Sequence, residues 1–418
     1  MTDRIAYVGA TEVLGPHGYP TIETVVATER GFEGRAVVPW GMSVGKYECK
    51  KIYDGGKRYR GRGVRTAVQN VNELISPALR GVDVSRLGDI DGIMLELDGT
   101  PDKSKLGGNA ILSVSMAAAK AGAKALGLPL YRFLGGLGAN RLPVLISNMV
   151  GGGTFYNPKL VFEDYLVMAY DFDSTAEAVE ALSEVYLALG EALDGFEKDV
   201  PMHKGLYVPQ TLNNEQVFEA LVKAAEIAGF GGRMRIALDV CAGQFYDENK
   251  SRYAVEGTSY TREEFVDYLA ALRAKYPIAF IEDPLHEDDF EGFALACRSI
   301  ENTVICGDDL FATSVDRLEE GIRLGAANSL LLKVDQVGTV SEACAAAEYA
   351  HRNGYTVTVS MRSRDTADTF IADLAVAVGA EYFKLGAPVM AERTEKLNRF
   401  CAIERELGPV PEFWRVRK

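Results

Sequence analysis

The sequence predicts an α/β protein of two parts: a small α+β domain, then a barrel of strands and helices in alternation. Three observations carry that expectation. Six short apolar runs in the C-terminal half, Ile236–Asp239, Ile278–Pro284, Thr303–Asp309, Leu330–Lys333, Thr356–Arg362 and Tyr382–Lys384, each finish on polar residues, and helical stretches come between them. Their terminal polar residues lie about 22 to 43 positions apart, the length of a βα unit. The runs are continuously apolar, as parallel strands buried on both faces are.

The N-terminal residues read differently. Residues 1–35 form a β meander: Ile5–Val8 is apolar, Gly15–Pro20 is a turn, and Thr21–Thr28 alternates with period two. Arg35–Pro39 reads as a third strand stopped by its proline. Trp40–Glu48 has two glycines, a serine and no periodicity, so it is either a surface connection or a mobile lid. Residues 64–96 and 109–126 are helical in pattern, the second rich in alanine and ended by Gly127 and Pro129. A boundary near residue 140 gives domains of 1–139 and 140–418. Beyond it, Gly151–Pro158 is a long turn and Phe162–Met168 a strand with acids near its start. Helices are expected at about 174–195 and 213–229, with His203, Lys204 and Gly205 in the loop between them. Thr261 and Glu264 make a capping box, and Ser341 starts a further helix that stops at Gly354.

The 418 residues carry a net charge of −14, which argues against a nucleic-acid surface. An anionic substrate would therefore need local cations or metal ions. Six scattered cysteines without a CxxC pair fit reduced thiols in a cytoplasmic protein. No apolar run is long enough to span a membrane, and the N-terminus has no basic-then-apolar signal pattern.

In a closed βα barrel the chemistry sits where the strands end. Asp239, Glu282 and Asp308 close three different runs. Three carboxylates brought together repel unless a cation lies among them, and oxygen-only ligation favours Mg2+. Lys333 and Lys384 close two later runs, where burial beside other cations would make a lysine a general base. Arg362 and Ser363 offer a fork and a hydroxyl for phosphate or carboxylate. The bland reading of each acid is a helix cap, and of each lysine an ion-pair partner. A metal-held enolate with a lysine base is the arrangement known for the enolase superfamily.

At these residues the chain resembles the enolase family over nearly its whole length. The resemblance is carried by Tyr19-Pro-Thr-Ile-Glu23, the Ser43 loop, Glu96-Leu-Asp-Gly-Thr100, Asn109–Ser115, Ile236–Val240, Ile281–Pro284, Gly307–Leu310, Leu331–Thr339, Thr369–Leu374 and Lys384–Pro388. It implies an N-terminal α+β capping domain and a β2α2(βα)6 TIM-like barrel, in a Mg2+-dependent homodimer or a higher oligomer. By the same matching Asp239, Glu282 and Asp308 hold one metal ion and Ser43 helps to hold a second. Lys333 removes the proton α to the substrate carboxylate, Lys384 helps to bind that carboxylate, and Arg362 and Ser363 bind phosphate.

Several positions depart from the family pattern. Trp40-Gly-Met-Ser-Val-Gly45 replaces Ser-Gly-Ala-Ser-Thr-Gly, and Phe155 replaces a histidine. Asp164, in Glu163-Asp164-Tyr165, stands at the catalytic glutamate's place, and Lys204, beside His203, stands at that of a second glutamate. Met361 replaces another histidine, and Arg364 adds a cation. The metal acids and both lysines survive, whereas the groups that handle the departing hydroxyl are rewritten. Three functions follow. The first expectation is a Mg2+-dependent lyase on a modified 2-phosphoglycerate-like acid, such as a phosphonate analogue. There Lys333, Lys204 and Asp164 are catalytic, and Lys384, Arg362, Ser363, His203, Arg364 and Phe155 bind substrate. The second is ordinary dehydration of 2-phosphoglycerate to phosphoenolpyruvate. The third is a non-catalytic paralogue.

Overall fold

The computed structural model describes residues 3–41, 44–194, 202–203, 205–408 and 412–413. They form two compact units. One comprises Met1–Arg141, Leu332–Glu348 and Met361–Gly379; the other comprises Leu142–Leu331, Tyr349–Ser360 and Ala380–Lys418. No single helix among the described residues is long and apolar enough to cross a membrane.

The first unit is built on an antiparallel sheet of Ile5–Leu14, Pro20–Thr28 and Glu33–Val37. Alternation along the middle strand buries Ile22, Thr24 and Val26, the face that packs on the helix Gly108–Leu126. That helix can approach closely because its packing residues are mostly alanine. Gly34 completes the fit, since a Cβ there would lie 2.0 Å from the Ala117 carbonyl oxygen. The helix ends as the sequence predicts, with Gly127 left-handed at φ 65°.

Two expectations need correction in this unit. The helical stretch over 64–96 is interrupted: the helical segment Arg65–Leu79 and the helix Leu87–Asp98 are separated where Arg80 becomes extended and Gly81 takes φ 81°. The later helix, expected to start at Ser341, starts one residue earlier, at Val340, with Thr339 as its cap. The Thr339 hydroxyl accepts the Glu342 N–H at 3.1 Å, while the Ser341 N–H donates to Asp91 at 3.0 Å.

The second unit is a closed eight-stranded barrel. Its strands, in sequence order, are Val144–Gly151, Asp164–Ala169, Met234–Asp239, Ile278–Glu282, Val304–Gly307, Ser329–Leu332, Thr356–Ser360 and Tyr382–Leu385. Tyr382 pairs with Val144 to close it. The second strand runs antiparallel to both neighbours, so its first residue lies level with its neighbours' last. Two helices, Thr175–Leu193 and Asn214–Ile227, precede the third strand, and helices alternate with strands thereafter. This is the β2α2(βα)6 order. Val144, Ile146, Leu166, Met168, Ala237, Phe280, Cys306, Leu331 and Tyr382 fill the barrel as one buried cluster. Thr261 and Glu264 form the expected capping box at Arg262–Lys275. Two strand ends differ slightly from expectation: Lys384 is the penultimate residue of its strand, and Glu163 lies just before the second strand.

Candidate active site

The barrel register places acids side by side. Asp164 is level with Asp239, and Asp239 is level with Glu282. Glu282 is level with Cys306, two residues before Asp308. Residues directly opposite across strands share a face. Asp239, Glu282 and Asp308 are all buried. Lys384 donates to Asp239 Oδ2 at 2.6 Å and to Glu282 Oε2 at 2.5 Å. Burial pulls the Lys384 ammonium towards the neutral form, but the carboxylates of Asp239, Glu282 and Asp164 outweigh it and hold the group well above the usual lysine range. These carboxylates thus hold Lys384 as a cation.

One lysine does not balance these acids. Glu163 is pushed up to about 8, by burial first and then by the charges of Asp239 and Asp164. Its carboxylate accepts from Gln244 Nε2, and Gln244 Oε1 in turn accepts from the Thr154 N–H at 3.1 Å and hydroxyl at 2.8 Å. Gln244 thus ties the turn that carries Phe155 to the start of the second strand. Phe155 itself is exposed.

The donor set fits a hard dication. It is oxygen-only, it comes from three strands, and it carries more negative charge than Lys384 neutralises. A tighter acidic group, Asp283, Asp308 and Asp309, also has carboxylate oxygens within 4.8 Å of one another. There Asp283 is engaged in shaping the turn, accepting the N–H groups of Asp308 and Asp309 at 2.9 Å each. Burial, then the neighbouring aspartates, raise its carboxyl well above the ordinary range.

The first unit holds a second charged centre. Arg362 donates from both terminal nitrogens to Glu48 Oε1 at 3.0 Å, and Asp335 Oδ2 lies 3.6 Å away. Lys51 reaches Asp335 at 2.5 Å and Glu48 at 3.3 Å. All four side chains are buried. Burial opposes ionisation of Asp335, yet Arg362 and Lys51 hold its carboxyl below the usual range; Lys333, half-buried beside it, acts in the same direction. Arg362 is anchored further by its own N–H to Asp365 at 3.1 Å. Ser363 and Arg364 follow it, both half-buried.

The expected residues thus fall into two groups. Asp239, Glu282, Asp308, Lys384 and Asp164 share the barrel, and Arg362 and Lys333 share the Asp335 centre. His203 lies on the short strand Met202–His203, which pairs with Leu206–Tyr207. Ser43 and Lys204 lie outside the described residues. Sequence reasoning missed Glu48, Lys51, Asp335, Glu163 and Gln244. Asp335 had a local signal, two residues after Lys333 in the same motif; Lys51 and Gln244 had none.

Comparison with known proteins gives a consistent result. The family described as "Enolase, C-terminal TIM barrel domain" matches residues 139–415, and that described as "Enolase, N-terminal domain" matches residues 5–134. A Methanopyrus kandleri protein named Enolase is 48% identical, with 98% of this chain and 97% of the relative covered. Those named Enolase from Pyrococcus furiosus and Thermococcus gammatolerans are 46% and 45% identical, each with 98% of this chain and 96% of the relative covered.

Proposed function

Because the chain belongs to the enolase family of Mg2+-dependent hydro-lyases, we propose that it dehydrates 2-phosphoglycerate to phosphoenolpyruvate and water. The observation that carries this reading is the barrel's row of in-register acids around Lys384. Asp239, Glu282 and Asp308 would hold Mg2+, which would supply Lewis-acid stabilisation of negative charge on the substrate carboxylate. Lys384 keeps Asp239 and Glu282 oriented and adds a positive charge for that carboxylate. Lys333 takes the proton α to it, and Arg362 with Ser363 receives the phosphate. Asp164 gives a proton to the departing hydroxyl, so the C–O bond breaks to water as the C–C double bond forms. Two Mg2+ ions, a homodimer and a cytoplasmic location accompany this reading.

A second reading, elimination from a modified acid such as a phosphonate analogue, is favoured by Asp164 and Phe155, which stand where the family carries a glutamate and a histidine. The relatives' names favour the first. Purified protein with Mg2+ and 2-phosphoglycerate, followed by the ultraviolet absorbance of phosphoenolpyruvate, decides between them. Turnover that stops with a chelator and returns with Mg2+ is expected. Absence of turnover on 2-phosphoglycerate, with elimination from the phosphonate analogue, selects the second reading.

A further inference from the structure

Phe155, which stands where the family carries a histidine, is 38% exposed and brings no polar atom to the barrel. Its neighbour Tyr156 is half-buried, and its ring lies against Gly151 at the end of the first barrel strand. A Cβ on Gly151 would come 2.8 Å from Tyr156 Cγ and 2.9 Å from Cδ2, so glycine is what leaves room for the ring. Gly151 is the residue level with Asp164, and Asp164 is level with Asp239. The Tyr156 ring therefore covers the strand at the row of acids.

The chain is fixed on both sides of this ring. Before it, the Gly152 N–H donates to the Glu163 carbonyl oxygen at 2.8 Å and the Gly153 N–H to that of Leu160 at 2.6 Å. Gln244 Oε1 holds Thr154 by its N–H and its hydroxyl. After it, the buried Asn157 side chain donates to the Pro209 carbonyl oxygen at 2.6 Å. A side chain anchored in this way loses little further freedom when a ligand arrives.

The surroundings also decide the charge of the phenol. Burial pushes the Tyr156 hydroxyl up from the ordinary phenol range, and the charges of Asp164 and Glu163 push it further; Arg393 and Lys384 pull the other way and are outweighed. The phenol thus keeps its proton and brings an O–H donor to a place rich in acceptors. Departure of a hydroxyl builds negative charge on one oxygen. Asp164 supplies that oxygen with one proton only, so a neutral donor at the same place stabilises the charge further as the bond breaks.

We propose that Tyr156 is a catalytic residue whose O–H donates a hydrogen bond to the departing hydroxyl beside Asp164, and so supplies, one position later in the chain, the polar group that Phe155 lacks. No proton leaves Tyr156; the proton that makes water comes from Asp164. The inference rests on the reading of Asp164 as the acid in the dehydration of 2-phosphoglycerate.

Tyr156→Phe keeps the ring on Gly151 and removes only the hydroxyl. The full chain, parent and variant, is given Mg2+ and 2-phosphoglycerate in deuterated water. Elimination is followed by the absorbance of phosphoenolpyruvate, and exchange of the proton α to the carboxylate by nuclear magnetic resonance. Elimination is expected to fall at least ~10-fold in the variant, the contribution of one hydrogen bond in the transition state. Exchange needs only the earlier proton abstraction and should stay within ~2-fold, so the ratio of exchange to elimination rises by ~10-fold or more. A ratio within ~2-fold of the parent's, whether both rates survive or both fall together as they would with lost structure, overturns the inference. A parent protein that neither exchanges nor eliminates overturns the underlying dehydration reading instead.

Discussion

Individual charges here are held by partners that are remote in sequence, and removing one partner should be costly. Lys384→Met leaves Asp239 and Glu282 buried without their ammonium. Breaking such a buried pair costs about 3–5 kcal/mol. A thermal melt without Mg2+ should show that loss, Mg2+ should recover part of it, and turnover should fall by at least ~100-fold, about 2.7 kcal/mol in the transition state. Asp335→Asn tests the other centre, where Lys51 and Arg362 would lose a shared carboxylate. Its destabilisation should also be of order 3–5 kcal/mol. The pH dependence has a definite sign. The Asp335 carboxyl is depressed in the folded state, so its stabilisation is complete above the unfolded carboxylate value, about 3.9, and is lost as pH falls through the lower folded value. Between pH 6 and 3 the parent should therefore lose more stability than Asp335→Asn, as measured by urea melts. The Lys51–Asp335 and Glu48–Arg362 pairs span 284 and 314 residues, which is why the sequence singled out Arg362 and not the cluster around it.

At the level of elements, local signals were read correctly wherever a side chain closes its own turn. Thr261 and Glu264 satisfy each other's backbone N–H groups, and Gly127 supplies the left-handed residue that ends its helix. Thr261→Ala should cost about 1 kcal/mol in a denaturant melt and leave turnover unchanged. A helix start was misplaced by one residue where two candidates competed. Thr339 and Ser341 are both cap-type residues two positions apart. Asp91, some 250 residues earlier, takes the Ser341 N–H and leaves the capping to Thr339. The expected helical stretch over 64–96 is interrupted for a different reason: periodicity continued through Gly81, whose positive φ breaks the chain direction.

For the whole molecule, the barrel was legible because six buried strands repeat one pattern, and the expected metal acids could be singled out because each sits at or just after a strand end. Register supplied the rest: that Asp164 stands level with Asp239 follows from a reversed strand, which periodicity cannot reveal. The net charge of −14 sharpens the role of Mg2+. With the acids of the barrel uncompensated by Lys384 alone, the folded protein should be more stable with the ion than without it. At an ion concentration one hundred times its dissociation constant the gain is about 2.7 kcal/mol for one site. Melts with Mg2+ and with a chelator measure it; a melting temperature indifferent to Mg2+ would count against Asp239, Glu282 and Asp308 as its ligands.

The reversed second strand has an evolutionary consequence. Gly151 and Asp164 pair with each other, so the connecting residues 152–163 leave and re-enter the barrel at the same rim. Their length is not fixed by any distance the chain must cross. Doubling such a loop costs only about 0.6 kcal/mol in closure entropy. Change there can accumulate at the exposed Phe155, Pro158 and Lys159 while the hydrogen-bonded wall and the buried Asn157, Leu160 and Phe162 stay intact.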